Sequence, residues 1–150
     1  MPRYILDTNV YIHATRDEAW ANQLTIFLLA FRPSVYLHSV VAMELLVGAI
    51  KSDQARRVQE AFIQPFERRR RIFTPTHAAW KRAAVALVQL VREHRVSPEE
   101  GIRRSLVNDC LIAASARDHG FTLVTENTRD FELLSDYLPL QFVAPWPAPT

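Results

Sequence analysis

Arg3-Tyr4-Ile5-Leu6-Asp7-Thr8-Asn9 opens the chain with a short apolar run that ends on an acid. The run reads as a buried strand over Arg3–Leu6. Stability alone seldom asks for a carboxylate directly after such a strand. In an open α/β sheet, ligands bind in the crevice beyond the carboxyl ends of the strands. Asp7 stands where that crevice would open, so the remainder of the chain matters first for the acids it brings to Asp7.

Working outward, Thr8 reads as the cap of a short helix over 8–13, and Asp17 as the N-cap of a second over 17–31. Trp20, Leu24, Phe27, Leu28 and Phe31 recur there at helical spacing, and Pro33 stops the helix. Val35-Tyr36-Leu37 is a second strand. Ser39 reads as the cap of a helix over 40–50 that carries Glu44 among apolar residues. Ser52-Asp53 starts a further helix that Pro65 ends, and Arg68-Arg69-Arg70-Arg71 leads into Ile72-Phe73, a third strand. Thr76 caps a long helix over 77–94, with Trp80, Ala84, Leu87, Val88 and Val91 on one face. Residues 95–104, with Ser97-Pro98 and Gly101, read as a loop or a broken short helix, the best candidate for a mobile segment. A helix over 106–119 ends at Gly120, the usual left-handed stop. Phe121-Thr122-Leu123-Val124-Thr125 is a strand, 127–130 a turn, 131–134 a short helix, and Leu140-Gln141-Phe142-Val143 the last strand. Strands alternate with helices and no Asn-Gly hairpin signal interrupts them. That pattern predicts a parallel sheet with helices on both faces. One domain is expected over 1–144, followed by a flexible proline-rich tail over 145–150.

A chain of 150 residues fits a single domain and buries about two thirds of its unfolded surface. Its 49% apolar content argues against disorder. No apolar run reaches the roughly 18 residues of a membrane span. The single Cys110 forms no internal disulfide and fits a reducing compartment, so a cytoplasmic location is expected. The basic side is almost all arginine, the only lysines being Lys51 and Lys81. Arginine suits phosphate and carboxylate recognition because its planar fork binds two oxygens at once; a GC-rich genome would also favour it.

Of the sixteen acidic residues, Asp7, Glu44 and Asp109 occupy unusually apolar or strand-end positions. Thr125, Asn127 and Asp130 follow the strand that ends at Val124. All could converge at one edge of a parallel sheet. Three crowded carboxylates repel and raise one another's pKa, so such a site implies a cation or a basic partner. A hard divalent cation takes carboxylates, waters and phosphate oxygens, and it can activate water against a phosphodiester. Each residue also has a plainer reading: Asp7 as a helix N-cap, Glu44 as the partner of a buried arginine, Asp109 as support for its helix dipole, Asp130 as a cap, Asn127 as a turn residue. Other chemistries are poorly served. The five histidines show no zinc-type pairing with Cys110, the three glycines make no phosphate loop, and Cys110 lies in an apolar helix. The run Arg68 to Arg71 reads as a solvated surface or as a contact to RNA phosphates.

Four motifs stand in order: Leu6-Asp7-Thr8-Asn9; Ala42-Met43-Glu44-Leu45; Asn108-Asp109-Cys110-Leu111-Ile112-Ala113-Ala114; and Leu123-Val124-Thr125-Glu126-Asn127-Thr128-Arg129-Asp130-Phe131. Together they resemble the PIN-domain ribonucleases, and among these the VapC-like toxins of bacterial type II toxin–antitoxin pairs. The resemblance implies a three-layer α/β/α sandwich around a mostly parallel sheet. It also implies cleavage of RNA with Mg²⁺ or Mn²⁺, leaving a 5′-phosphate and a 3′-hydroxyl. By that resemblance Asp7 and Asp109 hold the cation, and Glu44 binds it through water or helps deprotonate the attacking water. Asn127, Asp130 and Thr8 complete the site. Members often carry an acid two residues after the threonine of the last motif, where this chain has Asn127, and Asp130 belongs to the motif's Asp-Phe ending. Arginines within 95–104 would hold the RNA backbone. The resemblance further implies a homodimer and a cognate antitoxin laid across the acidic pocket, with the stretch 20–31 and the Glu44 helix as its groove; most of those residues also read as core.

Three other readings fit the chain less well or leave its chemistry unused. Phosphatase chemistry of the haloacid dehalogenase type needs a second acid where Asn9 stands. A receiver-like domain needs a lysine at a late strand end, whereas Lys51 and Lys81 fall in predicted helices. A degenerate PIN domain that binds RNA or protein without cutting is the remaining alternative, because Asn127 replaces an acid.

Overall fold

The computed structural model describes residues 2–97, 99 and 101–148, with the side chain of Ser52 not described. Five strands form one sheet in the order β3-β2-β1-β4-β5: β1 (Arg3–Leu6), β2 (Val35–His38), β3 (Ile72–Phe73), β4 (Phe121–Val124) and β5 (Gln141–Val143). Every pairing is parallel. The central strand β1 sits between β2 and β4, with Ile5 opposite both Tyr36 and Leu123. A parallel sheet needs cover on both faces, and the register shows what provides it. Tyr4 meets the edges of Phe27 and Phe31, so helix α2 (Glu18–Ala30) covers its face. Tyr36 and His38 point the other way, where His38 Nε2 lies 2.9 Å from Ser115 Oγ on helix α7 (Arg104–His119).

Between these elements run α1 (Thr8–Ala14), α3 (Ser39–Gly48), α4 (Ser52–Val58), α5 (Gln64–Arg68), α6 (His77–Arg92) and α8 (Thr128–Ser135). The polar residues that start the helices differ in two places from the sequence expectation. Asp7, not Thr8, caps α1, and His38, not Ser39, caps α3 by accepting from Val40 N through Nδ1 at 3.1 Å. Pro65 does not end a helix. A π turn over Gln59–Ile63 interrupts the segment, and Pro65 occupies the first turn of α5, where its missing N–H is not needed. Helix α6 stops at Arg92 because His94 adopts a left-handed φ of 54°. Gly120 terminates α7 as expected, at φ 68°. Helix α8 begins at Thr128, so residues 128–130 are helical rather than turn. Within 95–104, Pro98 and Glu100 lie outside the described residues.

The face of α6 is also a correction. Ala79, Ala83, Ala86, Leu87 and Leu90 are buried, while Trp80, Val88 and Val91 are exposed. Small alanines let α6 lie close to α7, which turns the larger side chains outward. The tail departs from expectation at Trp146: its indole packs near Trp20 and Phe27, and its Nε1 donates to Gln23 Oε1 at 3.0 Å. Burial of an aromatic ring outweighs the entropy of this short segment. Pro149 and Thr150 lie outside the described residues.

Two buried polar groups give tests of the core. Tyr11 is fully buried, and its hydroxyl has no hydrogen-bond partner among the described residues. Tyr11→Phe is therefore expected to be neutral or to stabilise by about 1 kcal/mol in urea unfolding. His38 accepts from Val40 N and faces Ser115, whose hydroxyl donates to Leu111 O, and burial lowers its pKa to about 4. The neutral ring with its proton on Nε2 satisfies every partner. His38 stabilises the fold fully above its unfolded pKa of about 6.5, and that contribution is lost as pH falls toward 4. NMR of the imidazole is expected to show no titration between about pH 8 and pH 5.

Candidate active site

The site is built outward from the end of β1. Asp7 N donates to Val124 O at 2.9 Å, which carries the β1–β4 ladder one residue past the strand. The Asp7 carboxylate is only 5% exposed. Its Oδ1 accepts from Thr8 N at 2.9 Å, and its Oδ2 accepts from Thr125 Oγ1 at 2.7 Å and Asn9 Nδ2 at 3.2 Å. Burial pushes its pKa up; the bonds from Thr125, Thr8 and Asn9 oppose this, and the charge of Glu44 adds to it. Asp7 is thus both a helix cap and a buried acid fixed in one orientation.

The other acids arrive from three helices. Glu44 on α3 accepts from Thr8 Oγ1 at 2.7 Å, so its partner is a neighbouring hydroxyl rather than a buried arginine. Asp109 lies in the second turn of α7, beyond the first turn where the helix dipole acts most strongly. Its pKa is pushed up to about 8, first by burial and then by the charges of Asp7, Glu44 and Asp130. Asp130 sits in the first turn of α8 and accepts from Asn127 Nδ2 at 2.8 Å. Asn127 N donates to Thr125 Oγ1 at 2.9 Å, so a relay runs from Asn127 through Thr125 to Asp7. All five residues singled out in the sequence, Asp7, Glu44, Asp109, Asn127 and Asp130, belong to this one neighbourhood.

Sequence reasoning missed Asn9. Its side-chain amide donates to Asp7 and stands 3.4 Å from Thr125 Oγ1, while its Oδ1 accepts from Glu126 N at 3.3 Å. It clamps the turn after β4 to the start of α1. The signal was present in the Asp-Thr-Asn spacing, which places Asn9 in the first turn of the helix that Asp7 caps. His13 stacks on Trp20 with ring centres 3.8 Å apart and lies 2.7 Å from Glu126, tying the same turn to α2. Cys110, beside Asp109, is fully buried with its thiol pushed up to about 12, the chemistry of a core residue rather than a nucleophile.

Among the described residues, no three or more His, Cys, Asp or Glu side chains form a ready-made cation cage. The donor chemistry nevertheless fits a hard divalent ion. Such an ion keeps several waters and needs only one or two carboxylates directly. The upward push on Asp7 and Asp109 is the cost of gathering these acids without positive charge. Beside them a hollow of about 270 Å³ opens between α7, α8 and the segment after α6. Asp109 and Asp130 lie on one side, Arg95 and Arg103 line it, and Leu106 and Leu133 supply apolar wall. Acids next to guanidinium groups suit a ligand whose phosphate carries negative charge.

The family model of the PIN domain matches residues 4–136. The chain belongs to the PIN domain family. It is 32% identical over 133 residues to the tRNA(fMet)-specific endonuclease VapC of Shigella flexneri, covering 88% of this chain and 92% of that protein. Among solved structures, this PIN domain is similar to the DNA-bound VapBC of Salmonella typhimurium, with a TM-score of 0.69, 25% identity, and coverage of 96% of this chain and 98% of that one. The FitAcB structure from Neisseria gonorrhoeae shares the fold with a TM-score of 0.66 at 23% identity, covering 97% and 99% of the two chains.

The crowded acids have a measurable effect on stability. A carboxyl whose folded pKa is raised contributes stability that is complete below its unfolded value and lost as pH rises through the folded one, here from about 4 to about 8 for Asp109. In EDTA, thermal stability is expected to fall across that range through this group. Asp109→Asn removes that part of the pH dependence and raises stability by about 2 kcal/mol at about pH 8.5.

Proposed function

We propose that this protein is a divalent-cation-dependent endoribonuclease, the toxin of a toxin–antitoxin pair. One observation carries the reading: Asp7, Glu44, Asp109 and Asp130 gather by the carboxyl ends of β1 and β4, with Asp109 driven up to about 8 by burial and the neighbouring charges. Asp7 and Asp109 would hold Mg²⁺ or Mn²⁺, with Glu44 bound through water. When bound, the ion supplies Lewis acidity toward phosphate oxygens and lowers the pKa of water. The chain's own groups do the rest. Thr8 fixes the Glu44 carboxylate, which takes the proton of the attacking water. Thr8 N, Thr125 and Asn9 hold Asp7 in one orientation, and Asn127 holds Asp130. The water oxygen bonds to phosphorus as the bond to the 3′-oxygen breaks and that oxygen takes a proton from solvent, leaving a 5′-phosphate and a 3′-hydroxyl. Asp130 supports this reading over a non-cutting module, since its carboxylate adds near Asp109 the charge that Asn127 lacks.

The partner surfaces follow from what the fold leaves uncovered. Leu24 and Phe27 of the 20–31 stretch are core, but Ile26 and Leu29 are exposed. Met43, Leu46, Val47 and Ile50 are exposed on and after α3, beside a hollow of about 460 Å³ between α1, α3 and α4. This apolar surface starts at the Glu44 helix and suits an antitoxin segment that also blocks the acids. A homodimer would use the outward stripe Trp80, Val88 and Val91 of α6. No helix among the described residues is long and apolar enough to cross a membrane, and the cytoplasm, where RNA is available, is the assigned location.

The relative from Shigella flexneri is named for tRNA(fMet), so transfer RNA belongs in the first substrate pool, together with single-stranded RNA. Cleavage is expected with Mg²⁺ or Mn²⁺ and none with EDTA. Asp7→Asn is expected to lower kcat/KM on the order of 10³-fold, and Asn9→Ala about tenfold through loss of positioning. Equal cleavage by wild type and Asp7→Asn would refute the assignment.

A further inference from the structure

Three cationic side chains gather away from the acids, and the reading above gives them no work. Lys81 and Arg82 of α6 and Arg117 of α7 line a hollow of about 380 Å³, which Gln89, Tyr137 and Leu138 help to enclose. Among the described residues, no acidic side chain lines it. One acid stands behind it: Asp118 accepts from Arg82 Nε at 3.1 Å and from Arg117 Nη1 at 3.0 Å, and its side chain is 12% exposed. A nearly buried carboxylate thus positions two guanidiniums side by side. Three cations line the hollow, and Asp118 pairs with two of them. Each guanidinium still has donors for a second acceptor, because it carries five N–H groups.

The hollow lies farther along the helix that carries Asp109. Arg117 is eight residues beyond Asp109 on α7, which sets it about 12 Å along the helix axis. Between them stands a polar bridge. Arg95 donates to Asp136 Oδ2 at 2.8 Å and to Tyr137 Oη at 3.2 Å, its guanidinium lies 5.5 Å from the Tyr137 ring centre, and Tyr137 donates to Glu93. Arg95 lines the hollow beside Asp109, and Tyr137 lines the basic one. The two hollows therefore share a partition made of an arginine and an aromatic ring, groups on which nucleic-acid bases stack.

We propose that the Lys81–Arg82–Arg117 hollow binds a backbone phosphate of the RNA a few nucleotides from the bond that is cut. The strand then runs from Asp109 across the Arg95–Tyr137 pair to the basic hollow. This rests on the nuclease reading. Its physical basis is that the acids repel every phosphate other than the one neutralised at the site, so the strand needs cationic anchorage elsewhere. A remote contact holds ground state and transition state alike, and it sets KM rather than kcat.

The test compares wild type with the double variant Lys81→Gln/Arg117→Gln. Both side chains are exposed and Asp118 keeps Arg82, so the melting temperature is expected to be unchanged. A second double variant, Arg32→Gln/Lys51→Gln, removes the same charge from exposed positions elsewhere on the surface. Binding of fluorescein-labelled oligouridylate is followed by anisotropy across a salt series, with and without Mg²⁺, beside steady-state cleavage of the RNA pool. The Lys81/Arg117 variant is expected to bind about tenfold more weakly, with the salt slope reduced by about 0.7, the value for one lost phosphate contact on a single strand. Its KM rises to match while kcat holds. If wild type cuts RNA but this variant keeps its affinity and salt slope, or the Arg32/Lys51 variant loses as much, the hollow is not an anchor and the nuclease reading stands. If wild type binds RNA without cutting it, the nuclease reading fails, and the hollow is judged by the slope alone: a reduced slope supports it and an unchanged one overturns it. If wild type neither binds nor cuts, both fall.

Discussion

Carboxylates that repel one another are held together here by the backbone. Asp7 cannot move away from its neighbours, because its amide is tied to Val124 and its two oxygens to Thr8 N, Thr125 and Asn9. Everything else in the site is arranged around that fixed charge. Glu44 is held through Thr8, one residue along the chain. Asn127 and Asp130 are held through Thr125, the residue that follows β4. Among the described residues Asp109 is held by no such bond, and burial and the charges of Asp7, Glu44 and Asp130 push its pKa up. The parallel sheet makes the arrangement possible, since only parallel neighbours such as β1 and β4 end side by side and bring their following residues together.

Much of this was legible in the sequence, for a definite reason. A strand that ends in an acid, a helix with an acid among apolar residues, and a glycine at a helix stop are local patterns, and Asp7, Glu44, Asp109 and Gly120 follow them. What depended on packing was not legible. The pattern of α6 fits two faces, and the choice between them was made by the closeness of α7, which admits Ala79, Ala83 and Ala86 but not Trp80. Pro65 signals a break in sequence, yet after a π turn it begins a helix. Trp146 follows a proline in a short tail, and only the groove of α2 explains its place. Asn9 argues in the sequence only against phosphatase chemistry, and it acts as a clamp because a carboxamide both donates and accepts.

The contrast between stability and site chemistry runs through the molecule. His38 and Ser115 are buried with their hydrogen bonds satisfied, and they join sheet to helix at neutral pH. The acids carry an unmet demand for positive charge. Burial has opposite meanings in the two places, because a neutral imidazole loses nothing by being dry whereas a carboxylate does.

The pairing of β1 with β4 has a consequence for how the protein is made. Leu6 lies opposite Val124, and Thr125 supplies the shortest bond to Asp7. A ribosome that has finished β1, β2 and β3 has not yet made either of those partners. The half-made chain holds Asp7 and Glu44 but lacks Asp109, Thr125 and Asp130. A site wired in this way stays incomplete until α7, β4 and α8 have been made.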